Sequence, residues 1–473
     1  PASTNHEGSF LRHGHHLSYH LADPFVMEKN LAQVRVEKIV NGGQGLSRLI
    51  DGRICLIPGV LAGELIGARI GDTHRGMLQA TAEQILEPSP ARISPPCALA
   101  DTCGGCDLQH CSYPEQLQIK KEILCDLFSR SASPAVQQAT TEIREPLPAP
   151  SPFHYRQRIR LQIDDRGRPC FRKRSSHDTV PVSNCLLAAG QLNRTLGGLM
   201  ASQAMQALLS TCNELELLLN PGTGQVIAIL HLNRPPRPRD FALARELIAS
   251  ETQPLLEDLL FCGETFALIR ADQDMTPTTL ALQLPPLTGF TTHPLTLSWE
   301  AGGFCQVNLT QNVQLIRTVL TLGQISSTDT VLDLFCGMGN FAIPLAGRAR
   351  EVLGIEGQGA AIRSARKNAT GAGLANTTFI KGPIHDSCRE LITSNQCFDL
   401  VLIDPPRAGI PGLAKDLAFL TRRKLIYISC DPATLCRDLA QLFSQGFTIR
   451  VVQPVDMFPQ THHLETVVLL ERH

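Results

Sequence analysis

The sequence predicts an α/β protein with a doubly wound, mostly parallel sheet in its carboxyl-terminal third, an OB-like β-barrel near the amino terminus, and a central α+β region between them. Two patterns carry that expectation. Between residues 301 and 473 short apolar runs recur, most of them separated by helical segments, as strands covered on both faces of a parallel sheet require. Between residues 29 and 90 shorter alternating runs are broken by Asn41-Gly-Gly, Pro58-Gly and Gly71-Asp, which is the texture of a small barrel. A chain of 473 residues has room for roughly two to four domains.

Composition narrows the setting. No uninterrupted apolar stretch approaches a transmembrane span, and the first 30 residues lack a charged-then-apolar leader, so a cytoplasmic protein with no membrane partner is expected. A monomer is expected as well. Sixteen cysteines are too many for an intracellular disulfide set, so clusters of them point to metal binding or nucleophilic chemistry. The formal net charge is −1, so any contact with nucleic acid must come from local basic patches.

Taken in order, residues 1–28 are His-rich and patternless and are expected to form a flexible tail. Residues 29–90 are expected to form the barrel, with strands over 34–40, 53–57 and 64–70. Residues 91–120 carry Cys97, Cys103 and Cys106, with Gly104-Gly105 between the last two and Cys111 close behind. Thiols this dense call for a shared metal, and the paired glycines let the backbone fold around it. Zinc would usually take two C-x2-C pairs; the uneven spacing here suits an iron–sulfur cluster better. Spacing leaves the fourth ligand open among Cys111, Cys170 and Cys185.

Residues 133–152 are polar and Pro-rich and read as a linker. The central region, 121–300, is expected to be an α+β RNA-binding domain. In it, Arg156, Arg158 and Arg160 alternate with Gln157, Ile159 and Leu161, which sets three guanidinium groups on one strand face. Phe171-Arg-Lys-Arg174 adds a second basic knot. Both suit phosphate contacts, although a solvated strand face would look the same. Apolar runs over 226–230 and 266–269 read as further strands.

The catalytic half, 301–473, begins near Phe304-Cys-Gln-Val-Asn308. A helix over 310–322 precedes a buried strand, 331–335, and the glycine-rich turn Cys336-Gly-Met-Gly-Asn340. The next strand ends in Glu356, whose carboxylate can hold two ribose hydroxyls. This strand–turn–strand pattern serves dinucleotides and S-adenosylmethionine alike. Later strands are expected over 377–380, 398–403, 424–429, 448–452 and 466–470. Asp404-Pro-Pro-Arg407 follows one of them. Cys430 follows another and precedes a helix opened by Pro432, which places its thiol at a strand's carboxyl end where α/β sheets bind ligands. From that stretch alone a buried structural thiol is equally compatible. Cys305, Cys336 and Cys436 read as core thiols, and His462-His463 as loop residues.

Asp404-Pro-Pro-Arg-Ala-Gly409, Ser429-Cys430-Asp431-Pro432-Ala-Thr434 and Leu464-Glu465-Thr-Val resemble the RNA 5-methyluridine methyltransferase family. The cysteine segment, a barrel similar to the TRAM domain, and Phe171-Arg-Lys-Arg narrow the resemblance to its 23S ribosomal RNA branch with an iron–sulfur cluster. It runs from about residue 30 to the carboxyl terminus. It implies a class I S-adenosylmethionine-dependent methyltransferase fold, 23S ribosomal RNA or tRNA as partner, Cys430 as nucleophile and Glu465 as base. It further implies that Gln306, Phe335, Asn340, Glu356 and Asp404 contact S-adenosylmethionine, that Phe304 stacks near the target base, and that Arg156 and Arg158 touch substrate. Cys97, Cys103, Cys106 and Cys185 would hold a [4Fe-4S] cluster, because Val182-Ser-Asn-Cys185 follows the Phe-Arg-Lys segment as in the family. Leu186 stands where the family usually has Pro. Lys381-Gly-Pro383 offers no evident polar contact for adenine, and Asp386 is the nearest candidate.

The chemistry accounts for these residue types. Uracil C5 is too weak a nucleophile to take a methyl group directly. A thiolate adding to C6 creates an enolate whose C5 can, and a base must then remove the C5 proton before the thiol leaves. An ordinary thiol is only a few per cent ionised at neutral pH, so a pKa lowered by roughly a unit or more is expected at Cys430. A silent RNA-binding iron–sulfur protein is the rival from another class, and retention of both Cys430 and Glu465 counts against it.

Overall fold

The computed structural model describes residues 31–74 and 76–472; the tail expected over residues 1–28 lies outside them. Five strands, β1 (Leu31–Val40), β2 (Gln44–Arg48), β3 (Ile54–Ile57), β4 (Leu65–His74) and β5 (Met77–Glu87), close a barrel in the order β1-β2-β3-β5-β4. Alternation explains the closure. Val34, Val36, Ile57, Ile66 and Ala68 point inward and are nearly fully buried, while the residues between them face out.

A central sheet follows, built from β6 (Arg158–Ile163), β7 (Pro169–Arg172), β8 (Thr179–Pro181), β9 (Cys212–Leu219), β10 (Val226–Leu232), β11 (Leu256–Gly263) and β12 (Phe266–Arg270). Its order is β12-β11-β10-β9-β6-β7-β8, with one parallel pair, β10 and β11. A hairpin, β13 (Thr279–Leu284) and β14 (Leu295–Glu300), links it to the catalytic domain.

The catalytic sheet contains β15 (Thr330–Leu334), β16 (Glu351–Glu356), β17 (Thr377–Lys381), β18 (Phe398–Ile403), β19 (Thr421–Ser429), β20 (Phe447–Val455) and β21 (Glu465–Arg472). Its order is β17-β16-β15-β18-β19-β21-β20, with β21 antiparallel to both neighbours and the rest parallel. This is the class I S-adenosylmethionine-dependent methyltransferase fold. β15 and β18 are buried along their whole length, because helices cover both faces.

The stretch expected as a linker is packed structure. It holds a helix, Pro134–Gln138, and a 3-10 turn, Ala139–Glu142. Val136, Ala139 and Ile143 enter the core under the catalytic sheet, and Ile143 and Leu147 bridge to Val452 and Val455 of β20. Three apolar contacts spread through a polar stretch gave too weak a period to be seen in the sequence. The preceding helix, Tyr113–Ser129, joins two units: Ile119 and Ile123 pack into the barrel core, Leu124 and Phe128 into the catalytic core. Lys120 and Asp456, both with fully buried side chains, form an ion pair of 2.5 Å between that helix and the chain after β20.

Candidate active site

The register of one strand pair brings Cys430 and Glu465 together. β19 ends at Ser429, β21 begins at Glu465, and Ser429 pairs with Thr466. One step further along the same antiparallel ladder sets Cys430 opposite Glu465, and partners opposite each other present their side chains on one face. The backbone at the thiol is fixed from the other side too. Asp431 caps the helix Pro432–Phe443 by accepting from Thr434 N at 2.8 Å, and Pro432 fills the first helical position.

The turn that carries Asp404 is held by the same helix. Asp438 has no exposed surface; it accepts from Tyr427 Oη at 2.6 Å and from Ile410 N at 2.9 Å, while Arg437 Nη2 donates to Ala408 O at 2.7 Å. Gly409 has to be glycine, because its φ is +74° and a Cβ there would lie 2.1 Å from Asp438 Oδ2. Sequence reasoning missed Asp438, although an acid eight residues after Cys430 on a helix's apolar face was a readable sign.

Electrostatically the site is a group of acids whose ionisation is pushed to higher pH. Burial, then the neighbouring Glu465, push the Cys430 thiol up to about 11, with Arg407 acting against them. Burial and Asp404 hold Glu465 well above the usual carboxylate range. Burial raises Asp404 to about 7. The lowered thiol pKa expected at the sheet edge is therefore not found. Desolvation of the thiol is the main cause, and Glu465 adds to it more than Arg407 takes away.

On the other side of the edge, Phe335 has φ +62°, a conformation costly for an aromatic residue and characteristic of functional turns. Gly337 and Gly339 follow with φ +54° and +87°. A Cβ on Gly337 would meet nothing within 4 Å, so the backbone there borders open space; one on Gly339 would lie 2.8 Å from Ile343 Cγ1. Glu356 accepts from Gly337 N at 3.3 Å and from Gln358 N at 2.8 Å, which ties the end of β16 to this turn. Asn340 exchanges amide hydrogen bonds of 2.8 and 2.9 Å with Asn312, bringing the start of the helix Leu309–Gly323 to the turn; Gln306, three residues before that helix, is buried. Phe304, in the same approach, is 66% exposed. Asp386 is exposed and pairs with Arg389. Asp333, inside β15, is a second omission: neither carboxylate oxygen has a partner, and burial, then Asp404, hold it well above its ordinary range.

Comparison with known proteins bears on this geometry. Residues 293–473 match the family model described as tRNA (Uracil-5-)-methyltransferase. A 23S rRNA (uracil(1939)-C(5))-methyltransferase of Pseudomonas putida is 32% identical over 92% of this chain and 92% of its own. The protein of that name from Pectobacterium atrosepticum is 30% identical over 94% of both chains. This chain belongs to the RNA (uracil-5-)-methyltransferase family. A solved Pyrococcus abyssi tRNA (uracil-54, C5)-methyltransferase in complex with S-adenosyl-L-homocysteine shares the fold, with a TM-score of 0.66 at 22% identity over 92% of this chain and 99% of that one.

In this methyltransferase Cys97, Cys103, Cys106 and Cys185 line one cavity of about 410 Å³. Cys111 is instead buried in the barrel core, and Cys170 does not reach the cavity. Burial, together with the neighbouring thiols, raises Cys103, and raises Cys106 to about 12. Among the described residues no group of three or more His, Cys, Asp or Glu side chains is placed to hold a metal ion.

Arg156, Arg158 and Arg160 share a face, but that face borders the cysteine cavity. Of the two residues expected to touch substrate, Arg158 is held by an acid. Arg158 pairs with the buried Glu216 and donates to Gly303 O at 3.2 Å, and Arg160 pairs with Glu214. Arg156 is enclosed, with its Nε buried and unpartnered. The partner acids lie on β9, more than fifty residues away, which is why the sequence read as basic. The second knot also serves the cysteine loop: Arg174 Nη2 donates to Cys106 O at 2.7 Å, and Gly104 N donates to Arg172 O at 2.9 Å. Among the described residues no helix is long and apolar enough to cross a membrane.

Proposed function

We propose that this enzyme methylates C5 of a uridine in 23S ribosomal RNA, with Cys430 as nucleophile and Glu465 as base. The observation that carries the reading is the register that sets Cys430 opposite Glu465, beside Asp404 and the open backbone at Gly337. The Cys430 sulfur bonds to C6 of a uridine turned out of the folded RNA, and the C5=C6 electrons pass into an enolate. S-adenosylmethionine, when bound, supplies the methyl group that C5 takes. Glu465 then removes the C5 proton, the electrons of that C–H bond re-form C5=C6, and the sulfur leaves as thiolate. Phe304, exposed in the approach, offers its face to the turned-out base.

Gln306, Phe335, Asn340, Glu356 and Asp404 are the residues proposed to hold the methyl donor. Open space over Gly337, the Glu356 carboxylate anchored to the turn, and an Asp404 side chain that ionises near neutrality support this, since a cationic donor is favoured beside a carboxylate. The bacterial relatives that match over nine-tenths of the chain support 23S ribosomal RNA as substrate. The archaeal tRNA enzyme of like fold supports transfer RNA as the second reading. Mapping 5-methyluridine in ribosomal and transfer RNA from cells lacking the protein decides between them. Loss of one 23S position is the expected result; unchanged ribosomal RNA with an unmethylated tRNA position would overturn it.

The barrel is further proposed to be a TRAM-like RNA-binding module, and the four cavity cysteines to hold a [4Fe-4S] cluster. A single tetrahedral ion needs its thiolates within about 4 Å of one another. A roomy cavity ringed by four thiols and bordered by Arg156, whose guanidinium can offset their charge, fits a cluster better. Such a group would brace the loop between the barrel and the central sheet. Anaerobic purification with iron and sulfide analysis tests this, and stoichiometric zinc without sulfide would overturn it.

A further inference from the structure

We infer that Asp107 and His462, acting through His463, hold Arg407 toward the Cys430 thiol, so that the cysteine-bearing segment positions the cation that promotes addition to uracil. The inference rests on Cys430 being the nucleophile. The chain between β20 and β21, residues 456–464, is seated largely by residues from far earlier in the sequence. Asp107 N and Leu108 N donate to Gln460 O at 2.9 and 3.1 Å. Gln116 accepts from Gln460 N at 2.9 Å and donates to its side-chain oxygen at 3.0 Å. Lys120 Nζ donates to Phe458 O at 3.0 Å as well as pairing with Asp456, and Tyr155 Oη donates to Pro459 O at 3.0 Å.

On that seat Asp107 Oδ2 accepts from His462 Nδ1 at 2.6 Å and from His462 N at 3.2 Å. The His462 and His463 rings lie 4.2 Å apart, and Phe458 meets His463 edge-on at 6.0 Å. His463 Nε2 then stands 3.5 Å from Arg407 Nη2. Arg407 lies on an exposed turn, and this is the one hydrogen bond its guanidinium makes among the described residues.

Arg407 always carries its proton, so His463 must be the acceptor and must be neutral at Nε2. Burial, then His462 and Arg407, push His463 down to about 4, with Asp107 acting against them and Lys120 with them, which keeps the ring neutral at working pH. The groups facing Cys430 are Glu465 from β21, Asp404 and Arg407 from the turn after β18, and Tyr427 from its own strand. Arg407 is the single cation among them. A guanidinium on a mobile arm would spread its charge into solvent; one tethered by His463 acts on the thiolate as it forms.

The test is single-turnover formation of the covalent adduct between full-length protein and a 5-fluorouridine-containing 23S fragment, measured from pH 6 to 11 so that the bend near the thiol's pKa is reached, alongside RNA affinity. His463→Leu and Arg407→Gln are expected to slow adduct formation about tenfold at pH 7 and to move its pH profile up by roughly one unit, with RNA affinity unchanged. His463→Gln retains an acceptor of similar reach and is expected to restore the profile. Asp107→Ala is expected to shift it in the same direction as His463→Leu. The inference is overturned by an unmoved profile in His463→Leu, by a His463→Gln variant no better than His463→Leu, or by lost RNA affinity without a pH shift, which would make Arg407 an RNA contact. Absence of adduct with the wild-type protein would instead overturn the assignment of Cys430 itself.

Discussion

In the free protein the Cys430 thiol is pushed up to about 11, and this predicts an unreactive nucleophile. At pH 7 a thiol with that pKa is ionised in about one molecule in 10⁴, against roughly 3% for an unperturbed thiol near 8.5. The thiolate is thus about 300-fold scarcer. Higher intrinsic nucleophilicity of the more basic thiolate recovers about tenfold, leaving Cys430 roughly 30-fold slower toward iodoacetamide than an exposed thiol. The assay is pseudo-first-order alkylation followed by mass spectrometry of the peptide bearing Cys430, since the chain has sixteen cysteines. The rate should climb about tenfold per pH unit up to pH 10, where an ordinary thiol levels off above pH 9. Alkylation at pH 7 as fast as an exposed thiol, or a plateau by pH 9, would refute the reasoning that burial and Glu465 together outweigh Arg407.

Glu465→Gln keeps the shape of a side chain only 3% exposed and removes its ability to take a proton. Turnover should fall by about 10² to 10⁴, the usual worth of a positioned base, while the adduct still forms, so ordinary uridine RNA should accumulate as a covalent complex on denaturing gels. Lys120→Met leaves Asp456 buried without its cation and should destabilise the protein by roughly 3–5 kcal/mol, seen as a lower unfolding midpoint in guanidinium. An unchanged midpoint would mean that water reaches Asp456. Gly339→Ala forces a methyl group 2.8 Å from Ile343 at φ +87°, and should weaken S-adenosylmethionine binding in calorimetry together with stability.

The catalytic sheet was legible because strands buried on both faces read as continuous apolar runs, and all seven strands lie where the sequence placed them, although β17 fully buries only Phe379. Their order was not, since nothing local in the segment around Glu465 says that it inserts antiparallel between β19 and β20. That insertion is what sets Glu465 beside Cys430. Two barrel strands, β2 and β5, were also missed: β2 is short, and β5 has mostly exposed or half-buried residues, so neither shows a clean period. The acids that pair with Arg158 and Arg160 could not be seen in the sequence, because Glu216 and Glu214 meet them only through sheet pairing. The loop before β21 shows the same limit. Asp107 and His462 are 355 residues apart, so two adjacent histidines in a loop gave no sign of what they hold.

The central claim is that Cys430 forms the bond to the base. Incubating the protein with S-adenosylmethionine and 5-fluorouridine-containing 23S RNA, then resolving it on a denaturing gel, tests that directly. A methylated fluoropyrimidine has no C5 proton to lose, so the sulfur cannot leave. The account predicts a stable RNA–protein adduct whose linkage maps to Cys430 and which Cys430→Ala abolishes. An adduct that persists in Cys430→Ala, or methylation of uridine RNA by that variant at the wild-type rate, would contradict it.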